Sequence, residues 1–485
     1  SRHTVYLVEK SPSIGGHMAQ LDKTFPTLDC SACSLTPRMN QVGSHPYIKL
    51  MTYSEVAGVS GFVGNFKVKI KKKARFVDET KCTGCGTCIE KCPFKAPSEF
   101  DMGLSKRKAI YTPFPQAVPN KPVIDKEHCA YFKTGKCQAC LKFCKQGAID
   151  FDMKDEEVEV EVGNIIVATG YETYDPTPIY QYGYGRLDNV VTALQFERMI
   201  NASGPTSGKI LLKSGKEPKS VAIVHCVGSR DKNIHEYCSQ VCCMYSIKFS
   251  HLVRDHVPGA KVYELYIDNR AVGKAYEEFY NRALDEGTNF IRGKPSDIVK
   301  HNGNLLIQVE DTLADCQREI PVDMVVLSAA LEPKADAEDI ARLFSLSRST
   351  DGFFMEKHPK LDPVATMNDG VFVVGCCQGP KDIPHSVVQA SAAAARVLAM
   401  ISVGTIEIEP ITAVVNEEKC SGCRICAHLC PYNAVSFDAE KKVSLVNEAL
   451  CKGCGTCVAA CPSGAITGSH FTTEQIMAEI EGVLV

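Results

Sequence analysis

The chain has 485 residues, 45% of them apolar and 23% charged, with a formal net charge of −3; this balance excludes a disordered or collagen-like polypeptide and offers no global basic field for nucleic acid or an anionic membrane. Cysteine is the outlier at 25 residues, and a chain long enough to build its own cores does not need them as disulfide staples. No apolar run approaches the roughly 20 residues of a spanning helix, and the N-terminus has no signal-peptide h-region, so a cytoplasmic, reducing compartment is expected.

In chain order, His3–Val8 predicts a short apolar strand ended by Glu9, with Gly15-Gly16 behind it. In a dinucleotide-binding βαβ unit an acidic residue ends the second strand and binds the ribose, about 20 residues after a G-x-G-x-x-G turn. That turn is therefore expected upstream of Ser1. Cys30 and Cys33 leave three readings open: ligands of a cluster, a redox disulfide, or buried thiols. The run Lys71-Lys72-Lys73 reads as a solvated strand end.

Next come Cys82, Cys85, Cys88 and Cys92-Pro93, spaced C-x2-C-x2-C-x3-C-P. Cys129, Cys137, Cys140 and Cys144 follow the same run with a longer first gap. This is the bacterial ferredoxin signature for [4Fe–4S] clusters, in which the fourth cysteine ligates the neighbouring cluster. Three thiolates on a tight loop reach three corners of a cubane, and the fourth corner comes from the other run. The expected sets are Cys82, Cys85, Cys88 with Cys144, and Cys129, Cys137, Cys140 with Cys92. Structural zinc is the alternative, although zinc sites usually present paired C-x2-C units.

Asn164–Gly170 (NIIVATG) predicts a buried strand ending in Thr-Gly, the form of a second flavin-contacting turn. Ser220–Ser229 and Val322–Ser328 predict strands of a nicotinamide-nucleotide-type domain, but Cys226-Val-Gly-Ser-Arg230 stands where a G-x-G-x-x-G cradle is expected. NAD(P)H binding is therefore not expected. Cys226, Cys238, Cys242 and Cys243 read either as buried structural cysteines or as an unconventional cluster site in the vacated pocket. Gly370–Gly375 predicts a further strand, followed by Pro384 and a helix of small residues from Ser386 to Ala395, whose positive N-terminal end faces a flavin in such folds. The three elements in this order predict an FAD domain. At the C-terminus the ferredoxin run occurs twice more, giving Cys420, Cys423, Cys426 with Cys461, and Cys451, Cys454, Cys457 with Cys430. Cys316 and Cys377 read as unassigned buried thiols.

These residues resemble the iron–sulfur flavoprotein (A-subunit) family of heterodisulfide reductases. The resemblance covers Gly15–Met39, the inserted ferredoxin module, the Cys226/Cys238/Cys242/Cys243 set, Gly375–Ala395 and the terminal module. It implies an α/β, thioredoxin-reductase-like two-dinucleotide-domain flavoprotein with one inserted and one C-terminal 2[4Fe-4S] ferredoxin module (α+β). The implied division is 1–76, 153–218 and 331–408 for the FAD domain, 77–152 for the inserted ferredoxin, 219–330 for the degenerate nucleotide domain and 409–485 for the last ferredoxin. It implies FAD contacts at Glu9, Lys10, Gly15, Gly16, His17, Met18, Val56, Ala168, Thr169, Gly170, Gly375, Cys376, Ile383, Pro384 and Ser386. Lys248 and Glu197 are implied beside the reactive edge of the flavin, and a cluster at the four unusual cysteines. Cys376 replaces an acidic residue common in the wider superfamily.

The implied activity is flavin-based electron bifurcation. The donor is a hydrogenase or formate dehydrogenase acting through an iron–sulfur adaptor. One acceptor is the CoM-S-S-CoB heterodisulfide on subunits B and C, and the other is ferredoxin or formylmethanofuran dehydrogenase, in a dimeric complex. The family's separate N-terminal domain and the first FAD strand and turn are expected to precede Ser1, in a fragment, an incomplete sequence or another polypeptide. An NAD(P)H-dependent reductase and a passive flavin relay are the competing readings.

Overall fold

The computed structural model describes residues 3–405, 407 and 410–484. The expected boundary between residues 408 and 409, and the outermost residues Ser1 and Val485 of the first and last expected units, lie outside these described residues.

Val5–Glu9 pairs in parallel with Ile48–Thr52, and the helix Ser31–Ser44 connects them. The first of these is the predicted short strand, with Glu9 as its last residue. Ile165–Val167 pairs in parallel with Val371–Val373. Both strands are shorter than their apolar runs because Gly170 (φ +79°) and Gly375 (φ +72°) turn the chain into the left-handed region that glycine adopts freely. Phe66, Ile70, Val167, Val371, Val373 and Phe354 form the core beneath them.

Phe66–Lys72 lies antiparallel to Glu156–Val162, and its sequence alternates with period two. Phe66, Val68 and Ile70 are buried, while Lys67, Lys69 and Lys71 stand opposite Glu161, Glu159 and Glu157. Lys71 reaches Asp155 at 3.2 Å and Lys73 reaches Glu55 at 2.9 Å. The lysine run is therefore a charge-paired sheet face rather than a merely solvated strand end. Opposite charges across strands stabilise by a few tenths of a kcal/mol per pair, roughly 0.2–1 kcal/mol.

The central α/β unit is a five-stranded parallel sheet in the order Val190–Thr192, Met324–Ala329, Ser220–Val227, Lys261–Tyr266, Asn289–Arg292. Its strands are apolar nearly throughout, as strands covered on both faces must be. Val322 ends the preceding strand, Cys316–Val322, so the predicted strand from 322 begins two residues later. That preceding strand lies at the edge of an antiparallel sheet with its first residues exposed, so Cys316 is exposed rather than buried. Cys377 is buried as expected.

Each ferredoxin-type module sets two short helices over small hairpins: Thr87–Lys91 with Ala139–Phe143, and Ile425–Leu429 with Thr456–Ala459. The mixed α/β class with an inserted and a terminal module is thus present.

The helix of small residues runs from Ile383 to Val403, longer than predicted, with Pro384 in its first turn. Proline fits there because a first-turn N–H lacks an intrahelical partner in any case. An 18-residue window of it has a mean hydropathy of 1.5, so by length and composition alone this helix could span a membrane, which the sequence reading did not expect. Alanine and valine raise the average while the polar residues among them are few.

Candidate redox site

The predicted dinucleotide contacts gather at the ends of the first-unit strands. Glu9 accepts a hydrogen bond from the Ser11 N–H at 2.8 Å. Lys10 is engaged by Asp336 at 2.6 Å. Gly15 (φ +127°) and Gly16 (φ +52°) open the short helix Gly16–Gln20. A Cβ on Gly15 would meet Met39 at 3.0 Å, whereas Gly16 faces open space. The imidazole of His17 pairs with Gln20 at 2.6 Å and with the Tyr171 carbonyl at 3.1 Å. It thereby ties Gly16, His17 and Met18 to the turn Ala168-Thr169-Gly170.

Gly170 and Gly375 also have no contact that a side chain would crowd, apart from Ser386 at 4.0 Å from Gly375. The three glycine turns therefore leave room for a phosphate- and ring-bearing ligand. Val56 sits at a sheet irregularity and packs into the core below them.

The third turn continues through Cys376, whose thiol burial pushes up, into the helix beginning at Ile383, Pro384, His385 and Ser386. Its N-cap is Asp382, which accepts from the His385 N–H at 2.9 Å and from the Tyr276 hydroxyl at 2.6 Å. The positive end of this helix thus already has an anionic partner, which weakens its expected effect on a reduced flavin.

Lys248 and Glu197 form one buried ion pair, at 1% and 2% exposure. The Lys248 ammonium also donates to the Lys23 carbonyl at 3.0 Å, and Glu197 accepts from the Asp22 N–H at 2.9 Å. Burial pushes the Glu197 carboxyl up and the Lys248 charge pulls it back. Of the three ammonium protons one remains without an assigned partner. The hydroxyl of Tyr171, whose carbonyl meets the His17 ring, is held above the ordinary range by burial, with the charges of Cys376 and Glu197 adding to the rise.

Cys226, the last residue but one of the strand Ser220–Val227, has φ +55° at a bulge between Val224 and Val227. Backbone of this kind costs about 1–3 kcal/mol in a residue that is not glycine. It turns the thiol toward Cys242 and Cys243, which open the helix Cys242–His256. A hydrogen bond from Cys242 holds the Cys243 thiol far below its usual range, against burial and with help from His225. Cys238 stands at the same place, where Arg230 neighbours both Cys226 and Cys238. Cys226, Cys242 and Cys243 are neighbours of one another. Where a phosphate cradle would lie, the Tyr174 ring occupies the space above Gly228, 2.5 Å from an added Cβ. This accounts for the missing nucleotide motif.

In the inserted module one cavity is lined by Cys92, Cys129, Cys137 and Cys140. In the terminal module a cavity of about 360 Å³ is lined by Cys430, Cys451, Cys454 and Cys457. Each takes three thiols from one run and the fourth from the other. Burial raises the Cys88 thiol to about 12, with Cys82, Cys140 and Cys144 adding to the rise, so the second set of the inserted module also gathers. Among the described residues no group of three or more His, Cys, Asp or Glu side chains stands close enough together to hold a single metal ion.

Cys30 and Cys33 are joined as a disulfide at the start of the helix Ser31–Ser44, with Cys33 exposed. The buried-thiol reading is therefore wrong. Sequence reasoning missed His225 and Glu264, which pair beneath Cys243. The signal was available for His225, which sits in the apolar run Val221–Val227, whereas Glu264 shares its strand with Lys261 and two tyrosines.

Residues 413–467 match the 4Fe-4S dicluster domain, and residues 75–98 match the 4Fe-4S binding domain. Two such modules on an α/β scaffold define an iron–sulfur protein. The A subunit of the H(2):CoB-CoM heterodisulfide,ferredoxin reductase from Methanothermobacter marburgensis is 54% identical over 483 residues, covering 99% of this chain and 72% of that protein. The iron-sulfur A subunit of the CoB--CoM heterodisulfide reductase from Methanocaldococcus jannaschii is 50% identical, covering 99% and 74%. A solved thioredoxin reductase of Lactococcus lactis aligns over 82% of this chain and 99% of its own, at 12% identity and a TM-score of 0.43. The chain belongs to the A-subunit family of heterodisulfide reductases.

Proposed function

We propose that this chain distributes electrons by flavin-based bifurcation. It takes pairs from a hydrogenase or formate dehydrogenase through an iron–sulfur adaptor. It delivers one electron toward the CoM-S-S-CoB heterodisulfide on subunits B and C, and the other toward ferredoxin or formylmethanofuran dehydrogenase. The assembly is a homodimer of the complex, without nucleic acid and in the cytoplasm.

One observation carries this reading: a single dinucleotide-type site is flanked by three separate thiol systems. The inserted module touches it where Arg198 binds Asp101 at 3.0 Å and Gln20 donates to the Phe100 carbonyl at 2.9 Å. The Cys226 group adjoins it through the helix that carries Lys248. The terminal module joins the same unit through Lys452 and Asp369, before the start of the strand Val371–Val373 whose other end leads to Gly375. A simple reductase needs one exit, whereas division of a pair needs more.

FAD is held at Glu9, Gly15, Gly16, His17, Met18, Ala168, Thr169, Gly170, Gly375, Cys376, Ile383, Pro384 and Ser386. When bound it supplies the exchange between two-electron and one-electron chemistry. Glu197 fixes Lys248 by ion pairing, and His17 fixes the glycine turn. The domain limits follow the divisions expected from sequence. Five [4Fe–4S] clusters occupy the four ferredoxin-type sets and the Cys226/Cys238/Cys242/Cys243 set, and Cys30 with Cys33 would contribute to a sixth in its reduced form.

The test is anaerobic. Five clusters require about 20 irons per chain and a sixth about 24; about eight irons, or zinc, would sink the reading. Ferredoxin reduction by the complex should stop when the heterodisulfide is withheld. Reduction that continues unabated would instead favour a passive relay.

A further inference from the structure

The two ferredoxin-type modules differ in the sign of their charge. Residues 77–152 carry 12 Lys and Arg against 9 Asp and Glu, whereas 409–485 carry 5 against 9. Within the inserted module most carboxylates are already engaged: Asp78 with Lys81, Glu79 with Arg75, Glu99 and Asp125 with Arg107, and Asp101 with Arg198. Among the described residues the exposed lysines Lys95, Lys106, Lys133, Lys136, Lys142 and Lys145 enter no ion pair. Lysines of the neighbouring sheet are matched by contrast, Lys67 with Glu161 and Lys71 with Asp155.

The unmatched lysines rim one thiol cavity. Phe94, Cys137, Ala139 and Cys140 line it, and Lys95 and Lys136 adjoin Phe94 and Cys137 in the chain. Lys142 stands between Leu141 and Phe143 on the helix Ala139–Phe143. Phe94, Leu141 and Phe143 are exposed although large and apolar, and the Lys91 ammonium lies over the Phe143 ring at 5.9 Å. In the hairpin Lys95–Pro97 with Lys106–Lys108, Lys95 is in register with Lys108, and like charges opposite one another weaken a ladder. Stability of the module therefore does not account for this surface. Exposed aromatic side chains inside a ring of one charge are the anatomy of a protein contact that long-range attraction steers. The overall charge of −3 gives no extended basic field for a long polyanion or a membrane, so a compact acidic protein fits the patch best.

We propose that this face of the inserted module, built from Lys95, Lys136 and Lys142 around Phe94, Leu141 and Phe143, docks an acidic one-electron iron–sulfur carrier protein. It deepens the ferredoxin branch of the function proposed above and rests on the reading of Cys92, Cys129, Cys137 and Cys140 as cluster ligands. The exchange is a single electron: the reduced cluster of the module is oxidised by one, the cluster of the carrier is reduced by one, and no bond or proton moves. Such encounters are small and transient, so charge governs their rate more than their lifetime. The terminal module, of opposite sign, repels the same carrier.

The test is anaerobic stopped-flow mixing of a reduced acidic 2[4Fe–4S] ferredoxin, freed of excess reductant, with the oxidised holoprotein. The second-order rate constant of the parent should fall on the order of tenfold as salt rises and screens the attraction. Combining Lys95→Glu, Lys136→Glu and Lys142→Glu should slow the low-salt rate on the order of tenfold and abolish its salt dependence, with iron content unchanged. The milder set of three Lys→Gln changes should fall between the two, and it decides if the Glu variant loses iron. Phe143→Ala should lower the rate at every salt concentration. Lys441→Glu with Lys442→Glu, in the terminal module, should leave the rate at the parent value. Unchanged rates in the Lys→Gln variant, or an equal loss in the terminal-module variant, overturn the proposal. So does binding of a single-stranded oligonucleotide or of anionic vesicles as tight as that of ferredoxin at the same salt. A parent chain whose iron content leaves the inserted sets empty defeats the underlying cluster reading instead, and a failure of bifurcation leaves this rate untouched.

Discussion

At the scale of single residues, Gly228 and Cys92 carry the sharpest expectations. Gly228 has φ +81° and the Tyr174 ring directly above it. Gly228→Ala therefore combines backbone strain with overpacking and should destabilise the central unit by about 2–4 kcal/mol. Hydrogen exchange in the strand Ser220–Val227 would register it, and unchanged protection would refute it. Cys92 belongs to one run but lines the cavity of the other. Cys92→Ser should remove about four irons while leaving the set built on Cys82, Cys85, Cys88 and Cys144, as read by iron analysis and by the number of resonance signals. The ferredoxin cysteines were legible in the sequence because metal ligation fixes their spacing along the chain. The pairing of Lys248 with Glu197 was not, because 51 residues separate them and only the packing of two helices brings them together.

At the scale of elements, periodicity announced more than composition did. The lysine run reads in sequence only as a solvated strand end, because the partner strand Glu156–Val162 lies beyond the inserted module and the charge ladder is hidden. Lys69→Glu places like charges opposite Glu159 and should cost about 0.5–1 kcal/mol at low salt, a deficit that shrinks as ionic strength rises. A salt-independent deficit would point to packing instead. The helix Ala193–Ile200, which carries Glu197, starts in a capping box of Thr192 and Gln195. Thr192→Ala should lower stability by about 1 kcal/mol, measurable as reduced amide protection in that first turn. The long helix after Pro384 exceeded its predicted length because alanines continue a helix without a stop until Gly404 caps it at φ +74°.

At the scale of the whole molecule, the nucleotide-type sheet kept its strands and changed its occupant. The parallel order survives, while Tyr174 fills the cradle and cysteines line the pocket edge. NAD(P)H alone should therefore leave the flavin absorbance of the holoprotein unbleached under anaerobic conditions. Bleaching would restore the reductase reading. Such replacement is legible from sequence only as a motif that fails to appear, and the substitute that took its place came from an unrelated strand, Glu172–Thr173 and the tyrosine that follows.

The exchange of fourth ligands between runs also bears on how the protein is made. Cys144 leaves the ribosome 52 residues after Cys92, and Cys461 leaves 31 residues after Cys430. At roughly 5–20 residues per second, the first run waits about 3–10 seconds with its thiols uncovered before its own cubane has a last corner to close on. Nascent chains would thus pass through an interval in which oxidants meet bare sulfur. Cells that make this protein have reason to keep that interval anaerobic, well before any electron is carried.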